Sequence, residues 1–328
     1  MLSGNDSFHG TITAKISFDD DKAVESLVKA MHSKKDADER QVLQILTQIN
    51  NTQRQMIKTP YKIKCNRDLV VDLANIFAGD YKDVILALME TPTKYDTLLL
   101  KKAFDESGTN ETVLIEVLCT RTDAQLVAIK NEYFILFETT LIADLNANTT
   151  GDLKDILTSV AQRPILINHN SVDTSKIRQD VKKILADKKK LDKALLKSTI
   201  ASLPAAPLAV FIAEYAMMAG HQIDQDVEKQ FSGHAKSALL ALIQYSRNSF
   251  LYFANLLNGA LKGPGIRDQD LIRLVVSRSE IDLASISEVY ANSYKKQLVD
   301  EISAACEGSY RDCLIAIVNG NMQQIIVN

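Results

Sequence analysis

The sequence predicts an all-α fold built from four repeats, and three observations carry that prediction. A glycine-led segment recurs four times at near-even spacing, and each copy continues with apolar residues at helical intervals. No stretch shows the strict apolar–polar alternation of a strand. Repetition at a fixed period sets the architecture before any single element does.

The recurring segment reads Gly79-Asp-Tyr-Lys-Asp-Val-Ile-Leu-Ala-Leu, Gly151-Asp-Leu-Lys-Asp-Ile-Leu-Thr-Ser-Val, Gly233-His-Ala-Lys-Ser-Ala-Leu-Leu-Ala-Leu and Gly308-Ser-Tyr-Arg-Asp-Cys-Leu-Ile-Ala-Ile. Each is a turn feeding an amphipathic helix, with a basic residue three places after the glycine. The glycines stand 72, 82 and 75 residues apart, so the unit is near 75 residues and the third carries an insertion. Some 35 to 40 residues upstream of each glycine lies a second apolar run. In order these are Val42-Leu-Gln-Ile-Leu, Val113-Leu-Ile-Glu-Val-Leu, Ala194-Leu-Leu-Lys-Ser-Thr-Ile and Leu271-Ile-Arg-Leu-Val-Val. Spacings of three and four with few breakers make each unit several helices of about 8 to 15 residues. The units are assigned to residues 20–90, 91–165, 166–247 and 248–328, after a segment 1–19.

Composition bounds the rest. With 328 residues, 46% of them apolar, the chain has ample material for a core and is not intrinsically disordered. A balance of 38 basic against 41 acidic side chains argues against a general nucleic-acid partner. The most apolar stretch, Ala205 to Ala219, is too short to span a bilayer and contains Pro207 and Glu214. The N-terminus lacks the basic-then-apolar plan of a secretory signal, so a cytoplasmic protein is expected. Cys65, Cys119, Cys306 and Cys313 sit in apolar helical contexts and read as buried, reduced thiols. His9, His32, His169, His221 and His234 have no metal-ligand spacing, Gly263-Pro264-Gly265 lacks the rest of a phosphate loop, and no Gly-x-Ser-x-Gly elbow occurs, so no enzyme is expected. Met217-Met218 and the 250–253 stretch are expected to pack in the core.

Two stretches make the pattern specific: Phe104-Asp-Glu-Ser-Gly108-Thr-Asn-Glu111-Thr-Val-Leu-Ile-Glu116-Val-Leu-Cys-Thr-Arg121-Thr, and Leu261-Lys-Gly263-Pro-Gly265-Ile-Arg-Asp268-Gln-Asp-Leu-Ile-Arg273-Leu-Val-Val-Ser-Arg278-Ser. They resemble the annexin repeat, with its Lys-Gly-x-Gly-Thr-Asp-Glu loop, apolar helix and Ser-Arg or Thr-Arg corner. The corner stands 30 residues before the turn glycine in every unit, at Ile49, Arg121, Leu203 and Arg278. The uneven repeats are similar to those of the divergent protist annexins, the alpha-giardins among them. The resemblance implies four repeats of about five helices forming a slightly curved disc whose convex face docks on anionic phospholipid through calcium. It also implies a peripheral place on the inner face of membranes. A scaffold bound to cytoskeletal or flagellar proteins, with little calcium dependence, is the alternative.

Calcium takes six to eight oxygens and accepts backbone carbonyls from a glycine loop together with a distal carboxylate. The family places that carboxylate three residues before the turn glycine, and here those positions hold Ile76, Asn148, Gln230 and Ala305. Calcium is therefore expected to bind with low affinity. The first candidate set is Leu261, Gly263 and Gly265, with Glu301 or Glu307 as substitute acid. The second is Phe104, Glu106 and Gly108 with Asn148, and the third is Asp80 with Asp83, acids that also suit a helix N-terminus. Lys34, Lys35, Lys188, Lys189, Lys190, Lys262 and Arg267 lie in or beside the loops and are candidates for contact with anionic lipid. Asp96, Glu116, Arg121, Arg273 and Arg278 match the family's central polar axis, where paired ions form a structural network.

Overall fold

The computed structural model describes residues 9–32, 37–105, 108–165, 172–187, 191–263 and 265–321. Every regular element among the described residues is a helix. The first repeat holds α1 (Asp20–Met31), α2 (Glu39–Thr47), α3 (Asn51–Met56), α4 (Lys58–Cys65), α5 (Leu69–Ile76) and α6 (Gly79–Met89). The second holds α7 (Pro92–Asp105), α8 (Glu111–Thr120), α9 (Asp123–Phe137), α10 (Leu141–Asn148) and α11 (Gly151–Ala161). The third holds α12 (Thr174–Ile184), α13 (Lys193–Ser202), α14 (Ala205–Ala219), α15 (Ile223–Gln230) and α16 (Gly233–Arg247). The fourth holds α17 (Ser249–Lys262), α18 (Asp268–Arg278), α19 (Leu283–Tyr294), α20 (Leu298–Ala305) and α21 (Gly308–Asn319).

Five helices per repeat is the rule, and the sixth in repeat one is a break. Pro60 has no N–H to give to the Met56 carbonyl and crowds the preceding turn, so the third helix divides at Ile57. In each repeat this third helix ends on a left-handed residue: Asn66, Glu138, Gly220 or Lys295. The four turn glycines are left-handed as well, with φ of 61, 59, 55 and 61° at Gly79, Gly151, Gly233 and Gly308. A side chain there would be strained although the space around it is open.

The chain divides into two compact units, 1–92 with 253–328 and 93–252. In the first, α18 packs on α6, and α21 packs on α2 and α20. A strap at its N-terminal end ties distant parts of this unit together. Thr11 N donates to Ser279 O at 2.7 Å, Thr11 Oγ1 to Ile317 O at 2.6 Å and Asn321 N to Thr11 O at 3.0 Å. A Cβ on Gly320 would fall 1.8 Å from the Thr11 carbonyl oxygen, so only glycine admits the strap. In the second unit α16 packs on α8 and α14, and α11 packs on α13.

Cys119, Cys306 and Cys313 are buried free thiols, while Cys65 is only half-buried. Met217 and Met218 depart from the expected core: they are 69% and 37% exposed. They lie in the last turn of α14, where helical spacing persists but the side chains stay open to solvent. In the 250–253 stretch Tyr252 and Phe253 are buried, whereas Leu251 is 36% exposed. No helix among the described residues is long and apolar enough to cross a membrane.

Candidate functional site

The candidate site is the loop between the first and second helices of each repeat. One backbone hydrogen bond closes it every time: Asp38 N to Ala30 O, Asn110 N to Ala103 O, Asp192 N to Ile184 O and Arg267 N to Ala260 O. Donor and acceptor are seven residues apart in repeats two and four but eight apart in one and three. The repeats that lost their glycines thus carry one more residue in the loop. Asp38, Asn110 and Asp192 then cap the following helix by accepting its N–H groups. Arg267 cannot accept, and instead pairs with Asp270 at 2.9 Å.

Repeat two brings its candidate loop against the cap position. Thr109 Oγ1 donates to Asn148 O at 3.0 Å, and Gly108 takes a φ of 139° that favours glycine. Asn148 Nδ2 donates back to Asp144 O at 2.9 Å. Phe104 is buried in α7, and Glu106 lies outside the described residues. In repeat four a Cβ on Gly263 would meet Gly265 O at 3.3 Å, so the loop folds tightly on itself after Leu261.

One helical turn before each cap position stands an acid: Asp72, Asp144, Asp226 and Glu301. A buried tyrosine precedes each by eleven residues. Tyr61, Tyr133 and Tyr215 donate their hydroxyls to Asp72, Asp144 and Asp226 at 2.7, 2.5 and 2.6 Å. Burial and the acceptor carboxylate push all three phenol pKa values far up. Tyr290 turns instead to Asn258 at 3.2 Å. Glu301 is taken by Lys262, and by Lys296 at 3.0 Å, and their hydrogen bonds hold its carboxyl below the usual range. These four acids are therefore already engaged in hydrogen bonds or ion pairs.

The sequence placed Glu307 with the repeat-four loop and Asp80 with Asp83. Glu307, Asp80 and Asp268 line one cleft of about 500 Å³ in the first unit, together with Ile266, the residue after Gly265. Burial, and the charges of Asp268 and Asp83, push the Asp80 carboxyl up, while Asp83 accepts from Gln269 Nε2 at 2.7 Å. Among the described residues no group of three His, Cys, Asp or Glu is disposed to hold a metal ion. The oxygens that remain are mostly neutral, and that donor set fits calcium only weakly.

Of the basic candidates, Lys34, Lys35, Lys188, Lys189 and Lys190 lie outside the described residues. Lys262 and Arg267 are about half exposed and pair, among the described residues, with Glu301 and Asp270. Several of the internal ions have a partner within their own unit. Arg121 forks onto Asp96 in the second, while Arg273 takes Asp270 and Arg278 takes Asp282 in the first. Glu116 is buried in α8.

The annexin family model matches residues 22–88, 95–160 and 252–317. Annexin A11 of Oryctolagus cuniculus is 34% identical over 315 residues, which are 95% of this chain and 62% of that protein. The chain thus spans under two thirds of that relative's length. The solved structure of annexin III superposes with a TM-score of 0.89 at 30% identity, covering 95% of this chain and 97% of the other. Calcium-bound alpha-14 giardin superposes at 0.78 with 17% identity over 92% and 99%, a likeness of fold alone.

Proposed function

The chain belongs to the annexin family, whose members are known as calcium-dependent phospholipid-binding proteins, and from that premise we propose that it docks peripherally on anionic phospholipid through its repeat loops. One observation carries the finer reading: no cap position supplies a carboxylate, and Glu301, one turn back, is held by Lys262 and Lys296. Calcium then rests on the carbonyls of Leu261, Gly263 and Gly265, and on those of Phe104 and Gly108 with the Asn148 amide. Such a set binds it weakly, because ligand charge helps set calcium affinity. Bound there, calcium would bridge loop carbonyls to lipid phosphate oxygens. The rest of the attraction comes from the loop lysines, each worth about 1 kcal/mol near a charged bilayer and screened by salt. The place of action is the inner face of membranes, and no step involves catalysis.

Co-sedimentation with phosphatidylserine vesicles, with calcium or chelator at low and high salt, tests this. Binding in chelator at low salt, lost as salt rises and strengthened several-fold by millimolar calcium, is expected. Absence of vesicle binding in all four conditions overturns it. Replacing Lys188, Lys189 and Lys190 by glutamine should weaken the chelator-resistant part.

A further inference from the structure

The third helix of the repeat exposes an apolar side chain at a recurring place. Two residues after the buried tyrosine stand Ile63 in repeat one, Ile135 in repeat two and Met217 in repeat three, 80%, 71% and 69% exposed. Repeat four has Asn292 there. A large apolar side chain kept in water forgoes the stabilisation that burial against a partner gives. The three repeats differ in the charge around it.

In repeat two the surround is apolar with an acidic rim. Phe134 is 57% exposed beside Ile135, and an open groove of about 840 Å³ runs past both to Leu141 and Ile142. Lys130 borders this groove, but it donates to Ala161 O at 2.7 Å, where the C-terminal end of α11 answers its charge. Glu132 in α9 and Glu138 at its left-handed cap flank the exposed pair, and neither has an ion-pair partner among the described residues. In repeat one the sign is reversed. Lys62 and Lys64 enclose Ile63; Lys64 pairs with Glu25 at 3.0 Å, while Lys62 has no acid partner among the described residues. Lys15 N donates to Gln53 Oε1 and Gln53 Nε2 donates back to Lys15 O, both at 2.9 Å, so the strap lays Lys15 and the exposed Ile16 beside α3, which leads into α4.

We propose that the chain self-associates, the basic-flanked Ile63 face of one copy seating on the acid-rimmed Phe134 and Ile135 groove of another. The two patches differ, so the contact is heterologous. Both are small, which makes the association weak, and the opposed charges orient it. The repeat loops take no part, so the contact is independent of the lipid docking proposed above.

Sedimentation equilibrium of the full chain in chelator, without lipid, tests this. At low salt the average mass should rise from that of one chain at about 10 μM to at least about 1.5 times that at about 500 μM, a range suited to a small interface. High salt should reduce the rise. Ile135→Ser or Ile63→Ser should hold the mass at one chain, whereas Met217→Ser, which removes a similarly exposed side chain flanked by Ala216 and Met218, should leave the rise unchanged. Exchanging the charges is the sharper test. Lys15→Glu with Lys62→Glu gives a variant acidic at both patches, and Glu132→Lys with Glu138→Lys gives one basic at both. Each alone should stay single, and an equal mixture of the two should associate, because every Ile63 face then meets a groove of opposite sign. A single-chain mass for the parent at every concentration, association that survives Ile135→Ser, or a mixture no heavier than its components overturns the proposal.

Discussion

Repeats two and four keep the same corner arginine and neutralise it differently. Arg121 forks onto Asp96, in the first helix of its own repeat, at 2.8 and 2.7 Å. At the matching place in repeat four stands Phe253, and the Arg278 guanidinium stacks over its ring at 4.4 Å. The counterion has moved to Asp282, four residues on, at 2.7 and 2.5 Å. The consequence is local and visible. In repeat two Thr122 and Gln125 form a capping box that starts α9 at Asp123 and lets it run 15 residues. Asp282 occupies the place of Gln125 and is committed to Arg278, so α19 begins only at Leu283 and runs 12. A buried cation constrains its surroundings to supply an anion, but several positions can do so, and the helix that lends one is shortened.

The largest test of this contrast removes the anion. Asp96→Ala leaves Arg121 charged in a buried site and should cost about 3–5 kcal/mol. Asp282→Ala should cost less, since the Phe253 ring still faces Arg278 and a desolvated cation–π contact is worth about 2 kcal/mol. Chemical denaturation of both variants reads the difference; equal losses would mean that the ring contributes nothing.

A smaller effect separates the tyrosines. Tyr133→Phe removes a hydrogen bond to a carboxylate and should cost about 1.5–3 kcal/mol, whereas Tyr290→Phe gives up one to a neutral amide, about 1 kcal/mol. Reversal of that order in thermal melts would show that Asp144 is held by Lys101 rather than by Tyr133.

The smallest effect is the pH dependence of the lysine pair in repeat four. Because Lys262 and Lys296 depress the Glu301 pKa below the ordinary glutamate value of 4.5, their stabilisation is complete above that value. It is lost as pH falls through the lower folded value. Glu301→Gln should be less stable than the parent at pH 7, by about 0.2–1 kcal/mol given the exposed lysines, and the gap should close below pH 4. A gap that persists in acid would assign Glu301 a role other than ion pairing.

Much of the fold is legible in the residues. The period, the turn glycines and the apolar runs follow from spacing, and each of those turn glycines has the left-handed φ that a glycine there announces. The missing cap acids are equally readable, because the turn glycine locates them. The tyrosine–acid pairs carried a signal that motif reading passed over. Tyr61 and Asp72, Tyr133 and Asp144, Tyr215 and Asp226, and Tyr290 and Glu301 are each eleven apart, on the same period as the glycines. The exposure of Met217 and Met218 was not legible, since helical spacing says which residues share a face and not whether anything covers it.

The sequence by itself determined the repeat, its helices and turns, and the lack of a charged calcium cap, because these depend on contacts within a few residues. Only the tertiary structure decided that Glu307 joins Asp80 and Asp268, and that Lys262 spends its charge on Glu301. It alone decided that Thr11 is tied to Ser279 and Ile317. Those choices join groups tens to hundreds of residues apart. Such partners are selected by how helices pack and by which charges lose their water, and no local pattern encodes them.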